Sequence, residues 1–220
     1  MIRSKRDLEV ILSKLKSFEK PSLTLEQYPT PSHIAAEWAW NMALKGEVAG
    51  KVIVDAGCGP GIIGLGLLLL GARKVIFIDK DQEIMPICRQ NYKKIMEEYE
   101  IGQAEFIAHD FSLFDGEADI VVQNPPFGTK QEHADKRFLE KAFAVAPIVY
   151  SMHKWSTQKF VEAVCKDHDF KVTDLWRYEF PIKAVFKFHE KPVQVVDVGL
   201  WRMERERKFL LKPRVYMHKS

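Results

Sequence analysis

From Lys51 onward, short β-branched runs alternate with segments whose apolar residues recur every three or four positions. KVIVDAG, RKVIFIDK, AEFIAHD, ADIVVQ and PIVYSMH each carry an aliphatic run of strand length. Between them, GIIGLGLLLLGA predicts a buried helix, and DQEIMPICRQNYKKIMEEYE an amphipathic helix opened by Asp81. HADKRFLEKAFAV and STQKFVEAVCKDH predict two more, the second capped by Ser156. Strands alternating with helices predict βαβ units: a parallel sheet covered on both faces, with right-handed crossovers. The rhythm breaks near the end. FKVTDLWRYEF and PVQVVDVGLWRMER, joined by PIKAVFKFHEK, predict a closing antiparallel hairpin. The expected fold class is α/β: a doubly wound, mostly parallel sheet with a C-terminal antiparallel hairpin. A helical extension over 1–45 precedes the main domain, 46–203, and a basic tail, 204–220, follows it.

Composition narrows the class without naming a function. A chain of 220 residues, 46% hydrophobic and 29% charged, has the make-up of a soluble globular protein. GLGLLLLGA falls well short of the roughly 20 apolar residues that span a bilayer. The first 20 residues mix charge with apolar residues at helical spacing and hold no secretory signal pattern. Cys58, Cys88 and Cys165 lie far apart, without zinc-type spacing, and read as reduced thiols in the cytoplasm, with no metal. A net charge of +3 permits a nucleic-acid partner without demanding one.

Chemistry enters at the strand ends, where open α/β sheets bind ligands. The first strand runs into Asp55-Ala56-Gly57-Cys58-Gly59-Pro60-Gly61, whose glycines let the backbone turn tightly and approach a ligand. The second strand ends in Asp79, about 20 residues on, where a carboxylate can accept from both ribose hydroxyls. A dinucleotide and S-adenosylmethionine both suit this arrangement. Asp55 favours the latter, because a carboxylate at the strand end repels a pyrophosphate and not a sulfonium amino acid. The third strand runs into Asp110-Phe111, which can accept from an adenine amino group and donate a backbone N–H to the ring. Asp110 equally suits a capping role before a turn.

The fourth strand stops at QNPPFGTK, an abrupt end for an aliphatic run. Two prolines fix φ and hold the Asn124 side chain and the Pro125 carbonyl outward, and neither Pro125 nor Pro126 has an N–H. The rim therefore presents acceptors, which is what a planar exocyclic amine needs. Phe127 offers a stacking face for a base, worth roughly 1–3 kcal/mol. This predicts amino-methyl transfer driven by proximity and alignment. The same acceptors would suit a protein glutamine or guanine N2, and a non-catalytic assembly factor would keep the fold with a damaged loop.

Together D-A-G-C-G-P-G, the Asp-ended second strand and N-P-P-F resemble class I S-adenosylmethionine-dependent methyltransferases, which have a seven-stranded sheet ending in an antiparallel hairpin. Phe18-Glu19-Lys20-Pro21, Leu25-Glu26-Gln27-Tyr28-Pro29-Thr30, NPPFGTK, Tyr150-Ser151-Met152-His153-Lys154 and Arg177-Tyr178 with Lys187-Phe188-His189 narrow it further. They resemble the methyltransferase-like-five family, in an archaeal type of member. The resemblance implies methylation of adenine N6 in small-subunit ribosomal RNA, with Asn124, Pro125, Pro126 and Phe127 at the target. It implies cofactor contacts from Gln27, Thr30, Gly57, Pro60, Asp79, Asp110 and Phe111, beside the loop residues Asp55 and Gly59. On its spacing, Thr30-Pro31 also predicts a helix N-cap followed by proline. Lys130, Lys154 and Lys187, interleaved with Phe188 and His189, suit phosphate contact plus stacking on RNA. The family also implies a heterodimer with a small zinc-binding activator protein, docked on an edge strand at 104–108.

Overall fold

The computed structural model describes residues 2–18, 28–126, 134–183 and 193–206. Strands β1 (Val52–Ala56), β2 (Lys74–Asp79), β3 (Gln103–Ala108), β4 (Ile120–Gln123), β5 (Ile148–Lys154), β6 (Phe170–Lys183) and β7 (Val193–Arg205) form one sheet. Their order is β3-β2-β1-β4-β5-β7-β6. The first five run parallel, and β7 inserts antiparallel between β5 and β6. This is the predicted doubly wound sheet with its closing hairpin. Strand order reverses between β1 and β4, so the loops after these two strands flank the switch point.

Among the described residues six α-helices cover the sheet: α1 (Lys5–Ser13), α2 (Ser32–Leu44), α3 (Ile62–Leu69), α4 (Met85–Met96), α5 (Ala134–Val145) and α6 (Gln158–Asp167). On one face Leu8, Leu12, Trp38, Met42, Leu65 and Phe77 share a core; on the other, Leu139, Phe143, Val161 and Trp201 do. Helices α1 and α2 thus belong to the same core as the sheet. β1 and β2 are apolar on both faces because both are covered. Among the described residues no helix is long and apolar enough to cross a membrane.

Three local expectations fail, each for a backbone reason. Asp81 does not open α4; its Oδ1 accepts from Glu83 N at 2.9 Å and turns the chain. The helix begins at Met85, with Pro86 in the first turn, where a missing N–H is harmless. Ser156 does not cap α6 either. It sits inside a 3₁₀ turn, 155–157, closed when Thr157 Oγ1 donates to Lys154 O at 2.7 Å. Pro31, not Thr30, takes the N-cap position of α2, with φ −57° and ψ 141°. Thr30 is thereby free to serve elsewhere.

The antiparallel end is fastened to the segment that follows α2 by a largely buried ion pair. Arg202, 6% exposed, donates from Nε to Glu47 Oε2 at 3.1 Å, and Tyr150 Oη donates to the same oxygen at 2.6 Å. Removing one partner of a buried pair costs about 3–5 kcal/mol. Glu204 also accepts from Arg202, at 2.9 Å, and softens the loss. Glu47→Gln is expected to lower unfolding free energy by about 2–3 kcal/mol in urea titration; no measurable change would mean that Glu204 alone suffices.

Candidate active site

The register aligns the strand ends. Ala56 pairs with Ile78 on one side and Gln123 on the other, so Gly57, Asp79 and Asn124 each follow at the same level. Adjacent strands lie about 4.8 Å apart, which puts Asp79 and Asn124 roughly 10 Å from each other across the crevice. One ligand can therefore touch both.

The loop after β1 is wound by three left-handed glycines, Gly57 (φ 70°), Gly59 (φ 52°) and Gly61 (φ 86°). Gly57 N and Cys58 N both donate to Ile78 O, at 2.8 and 3.0 Å, which ties the loop to the end of β2. Gly61 caps α3 without a side chain, leaving backbone donors at that helix end for a ligand. Asp79 Oδ2 accepts from Gly59 N and Oδ1 from Asp81 N, both at 2.9 Å. Each oxygen keeps a lone pair, as the ribose reading requires. Asp55 reaches under the loop instead, its Oδ2 accepting from Gly64 N at 2.9 Å.

These two carboxylates set the electrostatics. Burial pushes Asp55 up to about 7, opposed by the Gly64 N–H and reinforced by the charge of Asp79. Burial likewise raises Asp79, against its bonds from Asp81 N and Gly59 N. A pyrophosphate would add negative charge beside two groups that already resist ionisation. A sulfonium relieves both, so the donor set fits S-adenosylmethionine and disfavours a dinucleotide. Asp110 accepts from Ser112 N at 2.9 Å and caps a 3₁₀ turn over 111–113, with Phe111 buried behind it. That bond from Ser112 holds its carboxyl below the ordinary range. The capping role is realised, and it leaves Asp110 at the end of the strand beside β2.

At the end of β4 the Asn124 amide is held on one side. Nδ2 donates to Thr30 Oγ1 at 3.1 Å, and Oδ1 is buried with no partner among the described residues. Pro125 is buried and Pro126 half-buried beside it. Lys154 closes β5 on the same rim. Gln27, Phe127, Lys130, Lys187, Phe188 and His189 fall outside the described residues. The β6–β7 ladder continues from the Lys154–Val198 level to Lys183–Val193. Five residues of strand past β5, about 16 Å, stand above the rim as a wall.

Residues 41–149 match the family described as Methyltransferase small domain. The rRNA N(6)-adenosine-methyltransferase Mettl5 of Drosophila melanogaster is 34% identical over 90% of this chain and 95% of its own. The chain belongs to the Mettl5 family. An uncharacterised protein of Methanocaldococcus jannaschii is 32% identical over 91% of this chain and 94% of its own. The crystal structure of PH1948 from Pyrococcus horikoshii superposes with a TM-score of 0.84 at 37% identity, covering 93% of this chain and 99% of that one. This Mettl5-family chain is a methyltransferase, and S-adenosylmethionine is its cofactor.

Several site residues escape sequence reasoning. Asn91, 1% exposed on α4, accepts from Lys16 N at 2.8 Å and donates to Lys16 O and Pro60 O at 2.9 and 3.0 Å. It thereby clamps the N-terminal segment to the glycine loop. Phe18 completes that seam: a Cβ on Gly59 would lie 2.9 Å from its ring and push it aside, at a backbone φ of 52° that already favours glycine. Beneath Asn124, Gln123 Nε2 donates to Ser151 Oγ at 3.0 Å, and Ser151 Oγ lies 2.7 Å from His153 Nε2. Burial pushes His153 down to about 3, so this ladder is neutral. Its only sequence trace is polar residues alternating with Tyr150 and Met152 along β5.

Asp55 gives the site a pH signature. A carboxyl held above its ordinary 3.8 binds its proton more tightly folded than unfolded. That stabilising contribution is complete below the ordinary value and is lost as pH rises through about 7. Asp55→Asn keeps an acceptor for Gly64 N–H and removes the titration. Thermal midpoints of the variant are expected to fall less than those of the parent between about pH 4 and 8. Parallel curves would place the Asp55 proton elsewhere.

Proposed function

We propose that this methyltransferase transfers a methyl group to N6 of an adenine in small-subunit ribosomal RNA. One observation carries the reading: the buried, unpartnered Oδ1 of Asn124 at the switch-point rim. Leaving a buried acceptor unpaired costs about 1–3 kcal/mol, a cost a protein bears where a ligand supplies the donor. A flat exocyclic amine does so, with one N–H to Asn124 Oδ1 and the other to the Pro125 carbonyl. Its lone pair then faces across the crevice toward the glycine loop. When bound, S-adenosylmethionine presents a methyl on a cationic sulfur; the carbon–sulfur bond breaks as the carbon–nitrogen bond forms, and the amine sheds its proton afterwards. No general base is needed beforehand, in keeping with a rim of acceptors over a neutral polar ladder. Phe127 stacks on the base in this reading, and Gln27, Thr30, Gly57, Gly59, Pro60, Asp79, Asp110 and Phe111 surround the cofactor, with Asp55 bracing the loop.

The RNA assignment is supported by the Drosophila relative, named for ribosomal RNA adenosine, and by the hairpin wall beside the rim. Lys130, Lys154, Lys187, Phe188 and His189 would line the RNA path, and the basic tail, 204–220, would extend it beyond the catalytic domain, 46–203. Cytoplasmic action suits such a substrate and the free thiols of Cys58, Cys88 and Cys165. The sheet edge suits a partner. Among the described residues β3 pairs with β2 on one side only, and its residues alternate between exposed and half-buried along 103–106. A zinc-binding activator adding a strand there would cover Phe106, on which the Arg89 guanidinium rests at 4.5 Å.

Nucleosides from small-subunit ribosomal RNA of a strain lacking the protein are expected to lack one N6-methyladenosine, by mass spectrometry. The wild-type gene restores it and Asn124→Ala does not; purified Asn124→Ala binds cofactor within a few-fold yet transfers about 10²–10³-fold more slowly. An unchanged nucleoside profile would refute the adenine assignment. Hydrogen exchange of the co-expressed activator complex is expected to show protection over 104–108, and none there would remove the docking surface.

A further inference from the structure

Thr30 lies 94 residues from Asn124 in sequence, yet its hydroxyl accepts the amide hydrogen bond that orients that side chain. The surroundings make this a rigid support. Thr30 is 8% exposed and sits between Pro29 and Pro31, which fix φ on either side and hold Thr30 extended. Pro31 O accepts from Ala35 N at 2.9 Å and starts α2, whose Ile34, Ala35, Ala36 and Trp38 are buried in the core. The hydroxyl is therefore anchored to the core through one turn of helix.

A free Asn124 amide would not stay as it is. With Oδ1 buried and unpartnered, rotation about the last side-chain bond would exchange oxygen and nitrogen at little cost. The exchanged amide would aim N–H groups at the N–H groups of the amine and repel it. Thr30 accepts from Nδ2 at 3.1 Å and so fixes the plane and position of the amide from a rigid segment, with the nitrogen on the Thr30 side and the oxygen on the other. We infer that Thr30 is a positioning residue for methyl transfer, acting through Asn124 by holding its amide with Oδ1 toward the amine. This deepens the proposed function and rests on it. It also gives Thr30 work beyond the cofactor contact implied by family resemblance, in a different kinetic parameter.

Thr30→Val keeps the shape and removes the acceptor. It is expected to lower kcat about 10- to 100-fold, the scale on which small misplacements of reacting groups act. The rate is read at saturating S-adenosylmethionine, so that loss of the proposed Thr30–cofactor contact does not enter kcat, and Thr30→Ser recovers most of it. On an Asn124→Ala background, Thr30→Val costs nothing further, because there is no amide left to orient. A Thr30→Val enzyme with full kcat, or one that loses only cofactor affinity, overturns the inference. So does full additivity of the two substitutions. Should Asn124→Ala itself retain wild-type transfer, the proposed chemistry fails instead, and the two failures are told apart.

Discussion

The Asn124 amide is the joint on which the site turns. It joins the end of a core strand to the N-terminal segment through Thr30, and it leaves one oxygen buried and unsatisfied. An unpaired acceptor is unfavourable in the free protein, so its surroundings must hold it in place. Two prolines after it, two around Thr30, and the Gln123–Ser151–His153 ladder below supply that rigidity. In the proposed reading, stability is given up locally for an acceptor poised before the amine arrives.

The cofactor half of the crevice follows a matching logic with charge. Asp55, buried, and Asp79, half-buried, lie close enough to feel each other, and each is braced by backbone N–H groups of the glycine loop or its flanks. The loop's left-handed glycines bring its backbone against the end of β2, and the Phe18 ring packs against Gly59. Asn91 makes all three of its bonds to Lys16 and Pro60. The N-terminal segment touches both halves: Phe18 lies against the loop and Thr30 against Asn124.

Much of this is legible in the sequence. Aliphatic runs of strand length alternate with helical spacing, and solvent exclusion on both faces of a parallel sheet requires that pattern. Strand ends locate ligand loops in such folds, so DAGCGPG, the terminal Asp79 and NPPF could be placed on one rim from order alone. Prolines after Asn124 announced a fixed acceptor because their constraint is covalent and local. Cap assignments fared worse at Asp81, Ser156 and Thr30, since each side chain had a nearby competing bond or proline.

The remainder depended on the folded chain. Thr30 with Asn124, Lys16 with Asn91 and Glu47 with Arg202 are 94, 75 and 155 residues apart. A hydrogen bond between such positions leaves no periodicity, because its partners are set by how helices and strands stack rather than by neighbouring residues. The linear chain decides which groups exist and which backbone segments are stiff. Only packing decides which face which, and so which of the two ends of an amide is left without a partner.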